Sequence, residues 1–123
     1  MLALLLGCAP SIRAGGSQPV VTERLYFGRN IDDTLGVTDS LWAVFVHDVV
    51  SPRLPAGFTF WTAQGAWQDS TGRQTREPGF VLEVVHPTHA VADSAITAII
   101  AEYKRRFQQQ SVLRVVTAGR ASF

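Results

Sequence analysis

At 123 residues, with 46% apolar and 17% charged residues, the chain can build one hydrophobic core and is not of disordered composition. A net charge of +1, from 11 basic against 10 acidic residues, argues against the basic face of a nucleic-acid binder. The single cysteine, Cys8, excludes an internal disulfide framework and a cysteine-cluster metal site.

The chain opens on an apolar run, Met1-Leu-Ala-Leu-Leu-Leu-Gly-Cys8, whose Leu5-Leu6-Gly7-Cys8 resembles a bacterial lipobox. Residues 1–8 therefore read as a partial lipoprotein signal peptide, with Cys8 the lipidated residue. The small, polar and Gly/Pro-bearing stretch that follows reads as a flexible tether over residues 9–21. That leaves residues 22–123 as one domain. The implied address is the bacterial cell envelope, lipid-anchored or periplasmic/extracellular, with a lipid anchor as the membrane contact.

From Glu23 to Ile31, apolar Leu25 and Phe27 alternate with Arg24 and Tyr26, which predicts a strand. Asp32 to Gly36 supplies turn residues. Thr38 or Asp39 then caps a helix to about Val50, where Trp42, Phe45, Val46, Val49 and Val50 keep a core-facing spacing. Pro52 and Pro55 are expected to stop it. Phe58 and Phe60 begin a second strand in which Gly65 suggests a bulge. Asp69 to Gly72 turns the chain into a return strand, Phe80 to His86, apolar enough to be central. Thr88 caps a second helix from about His89 to Gln109, with Ile96, Ile99, Ile100, Tyr103 and Phe107 on one face. A last strand spans Ser111 to Thr117. The order β-α-β-β-α-β predicts an α+β, ferredoxin-like split βαβ fold with an antiparallel sheet of order 4-1-3-2 and both helices on one face.

The segments Leu25-Tyr26-Phe27-Gly28-Arg29-Asn30, Gly65-Ala66-Trp67, Val81 to Pro87 and Ser111 to Val115 together resemble a family of small, mostly exported bacterial proteins of uncharacterised function. The resemblance covers about Glu23 to Phe123. It implies export and a single compact domain, and carries over no catalytic residue.

No G-x-S-x-G elbow and no phosphate-cradling glycine loop occurs in the sequence. Glu83, His86 and His89 suggest a three-ligand metal set, but the histidines straddle a strand end and a helix start and lack the fixed geometry of a helical pair, so no metal is assigned. Adjacent Asp32 and Asp33 read as turn chemistry and His47 as a surface residue. The informative surface is the sheet face away from the helices. If Leu25/Phe27, Phe58/Phe60, Leu82/Val84 and Leu113/Val115 face the helices, the opposite face carries Arg24, Tyr26, Trp61, Val81, Glu83, Val85, Val112, Arg114 and Val116, of which Arg24, Tyr26, Trp61, Glu83, Val85 and Arg114 are the candidate ligand or dimer residues. That set is too apolar for a comfortable solvent face.

These features predict a non-catalytic binding or self-association module without cofactor or nucleic acid, a homodimer through the open sheet face. The alternative is a small enzyme or ligand carrier resembling the dimeric α+β barrels of the antibiotic-biosynthesis monooxygenase type. In that case Tyr26, Trp61, His86 and Arg114 would serve a small-molecule ligand.

Overall fold

The computed structural model describes residues 15–88 and 93–123, so Cys8 with its apolar leader and His89 lie outside the described residues. The fold is α+β. Strand β1 (Gln18–Gly28) starts inside the stretch read as tether. It is followed by a two-stranded hairpin that the sequence pattern did not announce, β2 (Asn30–Ile31) and β3 (Thr34–Leu35). Asp32 and Asp33 close that hairpin with φ of 50° and 64°, the left-handed pair that a two-residue hairpin turn requires.

Helix α1 (Asp39–Phe45) begins where the Thr38 hydroxyl accepts the Leu41 N–H at 3.2 Å. Pro52 and Pro55 were expected to stop it. At Pro52 the chain instead widens into a π turn over Val46–Val50, where Ser51 N–H bonds to the Val46 carbonyl, and resumes as α2 (Ser51–Arg53), which ends before Pro55. A proline lacks its N–H and crowds the carbonyl one turn back, and the wider turn accommodates both.

Strands β4 (Thr59–Gln68) and β5 (Gln74–Pro87) form a long hairpin. Its turn is organised by Asp69, whose Oδ1 accepts from Thr71 N, Thr71 Oγ1 and Arg73 N at 2.9, 2.6 and 3.0 Å. The ladder runs unbroken from Thr59↔Glu83 to Gln68↔Gln74, so Gly65 marks no bulge. Helix α3 (Asp93–Arg106) and strand β6 (Leu113–Ala121) complete the domain. The four long strands form one antiparallel sheet in the order β4-β5-β1-β6.

One face of this sheet builds the core. Leu25, Phe27, Phe80, Leu82 and Val84 pack with Trp42, Phe45, Val49 and Val50 of the first helical segment and with Ile96, Ile99, Tyr103 and Phe107 from α3 and its end. Aromatic rings dominate: Trp42 stacks on Phe80 at 4.2 Å, and Phe27 meets Tyr103 edge-on at 4.6 Å. The Tyr103 hydroxyl donates to the Gly28 carbonyl at 2.6 Å, so the buried phenol is satisfied. Burial, helped by the charge of Glu77 against a smaller opposing effect of Arg29, raises its pKa well above the ordinary phenol value.

Candidate functional site

Residues paired across antiparallel strands point to the same side, so the register assigns the open face row by row. The central row is Leu113, Tyr26, Val81 and Trp61, running across β6, β1, β5 and β4. Trp61 is 41% exposed and Leu113 47%, whereas Val81 between the two rings is only 3% exposed. The next row holds Val115, Arg24, Glu83 and Thr59, and beyond it Val85 faces Thr22. Arg24 Nε donates to Glu83 Oε2 at 2.7 Å, an exposed pair that solvent screening leaves weak. On the other side of the aromatic row, Gly28, Gly79 and Ala63 lie in register and leave a shallow concavity of about 160 Å³, bordered by Tyr26, Trp67 and Glu77. Gly79 is required there, since a Cβ would come within 2.9 Å of the Phe27 carbonyl oxygen. Glu77 lies over Gly28 and accepts the Asn30 N–H at 3.0 Å.

Of the nine residues expected on this face, Arg24, Tyr26, Trp61, Val81, Glu83 and Val85 share it. Val112, Arg114 and Val116 do not. Leu25 pairs with Arg114 and Tyr26 with Leu113, so β6 presents Leu113 and Val115 to the open side, the reverse of the expectation. The physical reason is Glu23. It follows the parity of Leu25 and Phe27, ends on the core side with 4% of its side chain exposed, and requires cationic partners there. Arg114 Nε donates to Glu23 Oε2 at 2.6 Å, and its Nη2 donates to Asp93 Oδ1 at 2.9 Å, which ties β1, β6 and the start of α3 together. His86 Nε2 meets Glu23 Oε1 at 2.9 Å while its Nδ1 faces the Pro87 carbonyl oxygen at 2.9 Å. For Glu23, burial works to raise the pKa, but the hydrogen bonds and charges of Arg114 and His86 outweigh it and hold the carboxyl below its ordinary value.

The same parity separates the metal set weighed from sequence. Glu83 lies on the open face with Arg24, and His86 on the core side with Glu23. Among the described residues no group of three or more histidine, cysteine or carboxylate side chains is placed to hold a metal ion. His47 is a surface residue bonded to Asp48 at 2.7 Å, as expected. Glu23, Leu113 and Val115 were missed as site-forming residues. Glu23 had a signal, an acid in phase with Leu25 and Phe27, whereas Val112, Leu113, Val115 and Val116 are apolar on both phases and gave none.

The class defined by this geometry is a small α+β domain with helices on one side of an antiparallel sheet and a partly aromatic open face on the other. Two solved structures share the fold. A phage SAM lyase in complex with S-methyl-5'-thioadenosine aligns with a TM-score of 0.64 at 15% identity, covering 91% of this chain and 95% of that one. A phage SAM lyase in the apo state aligns with a TM-score of 0.58 at 17% identity, covering 91% and 94%. No curated protein matches the chain. By sequence, the chain belongs to the family described as "Protein of unknown function (DUF3574)", which matches residues 22–123.

Proposed function

We propose that this domain is a non-catalytic module, carried on an exported lipoprotein, that assembles with a second copy of itself through the open sheet face. The observation that carries the reading is the exposed apolar set Leu113, Trp61, Val85 and Val115, which flanks Tyr26 and the buried Val81 on the open face. Apolar area of this kind, left in water by a solitary domain, is removed from it when two copies meet about a two-fold axis. The ferredoxin-like reading has support from the sheet. Counting only its four strands, β4-β5-β1-β6 is 2-3-1-4, the order 4-1-3-2 read from the other edge. Val115→Asp places a charge within the proposed interface and is expected to yield monomer with an unchanged far-UV spectrum. A variant that assembles like the parent refutes the interface. Export and anchoring are tested separately. With its full signal, the protein is expected in the membrane fraction, and Cys8→Ser is expected to release it or to block its maturation.

A second reading, a small enzyme or ligand carrier, is favoured by one specific pairing of observations. The fold is shared with a phage SAM lyase, and the open face contains the concavity beside Tyr26, Trp67 and Glu77. An aromatic and acidic border suits an adenosyl sulfonium or thioether. Calorimetric titration with S-adenosylmethionine and S-methyl-5'-thioadenosine decides this reading. Saturable binding abolished by Trp67→Ala supports it, and absence of heat with both compounds removes it.

A further inference from the structure

The first helical segment covers the middle of the sheet but stops short of edge strand β4. On the core side of that strand Phe60 and Thr62 remain exposed, Phe60 at 43%. Between them and the helix lies a cleft of about 510 Å³, walled by Trp42, Ala43 and Val46, with Phe80 as its floor. Cavities of about 300–1,000 Å³ with apolar walls and a few polar groups are the usual form of small-molecule sites. The π turn begins at Val46, in the wall of this cleft, and such turns are frequent at functional sites.

Trp42 distinguishes this cleft from an ordinary packing gap. Its ring is held by the Phe80 stack at 4.2 Å and 7°, and Phe60 meets it edge-on at 5.6 Å and 72°. Its indole N–H is the one buried side-chain polar atom without a hydrogen-bond partner among the described residues. Leaving a buried donor unmade destabilises the fold. The size of the ring is used by its contacts with Phe27, Phe45, Phe80 and Tyr103, but its N–H has no partner, and a ligand with an acceptor supplies one.

We propose that this cleft binds a flat, largely apolar small molecule carrying a hydrogen-bond acceptor, and that the Trp42 indole N–H holds it. The nitrogen is covered in the free protein, so the ligand reaches it by displacing a neighbouring ring. Phe60, half in solvent on an edge strand, is the ring with room to move. The site is on the opposite side of the sheet from the open face, so self-assembly there leaves it accessible and the two proposals stand or fall separately.

The test follows the three tryptophan indole N–H resonances of the ¹⁵N-labelled full chain, with Trp42→Phe identifying the Trp42 signal. Quinoline and naphthalene serve as probes, since they match in shape and differ in one ring nitrogen acceptor. Quinoline is expected to shift the Trp42 indole proton downfield with saturation and to bind about tenfold more tightly than naphthalene, the difference one hydrogen bond makes. In Trp42→Phe that preference is expected to vanish. Ala43→Trp, which fills the cleft from an exposed position, is expected to abolish binding of both probes while the dispersion of the folded spectrum is retained. The proposal is overturned if Trp42 shows no saturable shift, if the two probes bind equally, or if Ala43→Trp binds them like the parent.

Discussion

Replacing Arg114 by alanine takes the guanidinium partner from a carboxylate that is 4% exposed. In the folded protein Glu23 receives the Arg114 bond at 2.6 Å and the His86 bond at 2.9 Å, and the variant leaves only the second. Stranding a buried charge completely costs about 3–5 kcal/mol, and one hydrogen bond to a charged group contributes about 1.5–3 kcal/mol. Because His86 stays in place, the expected loss is about 2–3 kcal/mol, nearer the second figure than the first. The pair that Arg114 makes with the exposed Asp93 adds little. Urea unfolding at neutral pH, with the slope compared between variants, reads the loss directly. The double variant Arg114→Ala with Glu23→Gln is expected to recover part of it, because the stranded charge is then gone. A loss below about 0.5 kcal/mol, the ordinary scale of a surface substitution, refutes the reasoning, as does a double variant that recovers nothing.

Three further outcomes follow from the same structure. Phe45→Ala and Ile99→Ala, both at fully buried positions, are each expected to lose about 2–5 kcal/mol in urea unfolding. Gly79→Ala places a methyl group 2.9 Å from the Phe27 carbonyl oxygen and is expected to lose about 1–3 kcal/mol by forcing β1 and β5 apart, measured as a fall in unfolding midpoint. The lowered pKa of Glu23 makes its contribution complete above the ordinary value of 4.5 and lost as pH falls through the lowered folded value, so Glu23→Gln is expected to flatten the acid side of the stability profile.

The elements were legible where one periodicity dominated. The stripe of α1, the alternation of Leu25 and Phe27, and the Asp69 to Gly72 turn each admit one arrangement, and the structure has it. Strand β6 admits two, because Val112, Leu113, Val115 and Val116 are apolar on either phase. Its orientation is settled by a partner ninety-one positions away, Glu23, which local pattern cannot supply. The β2–β3 hairpin was hidden for a different reason: strands of two residues are too short to show alternation. Pro52 was read by its usual effect, and the π turn that tolerates it has no sequence mark of its own. At the candidate surface, Arg24, Tyr26, Trp61, Glu83 and Val85 were correctly grouped because β1 and β4 had one apolar phase and the charged Glu83 marked the outer phase of β5.

Sedimentation equilibrium of the full chain carrying Cys8→Ser, at micromolar concentration and without detergent, tests the central claim most directly. Assembly through the open face predicts the mass of a dimer that Val115→Asp reduces to that of a single chain. A monomer for the parent sequence under those conditions contradicts self-association as the role of this face.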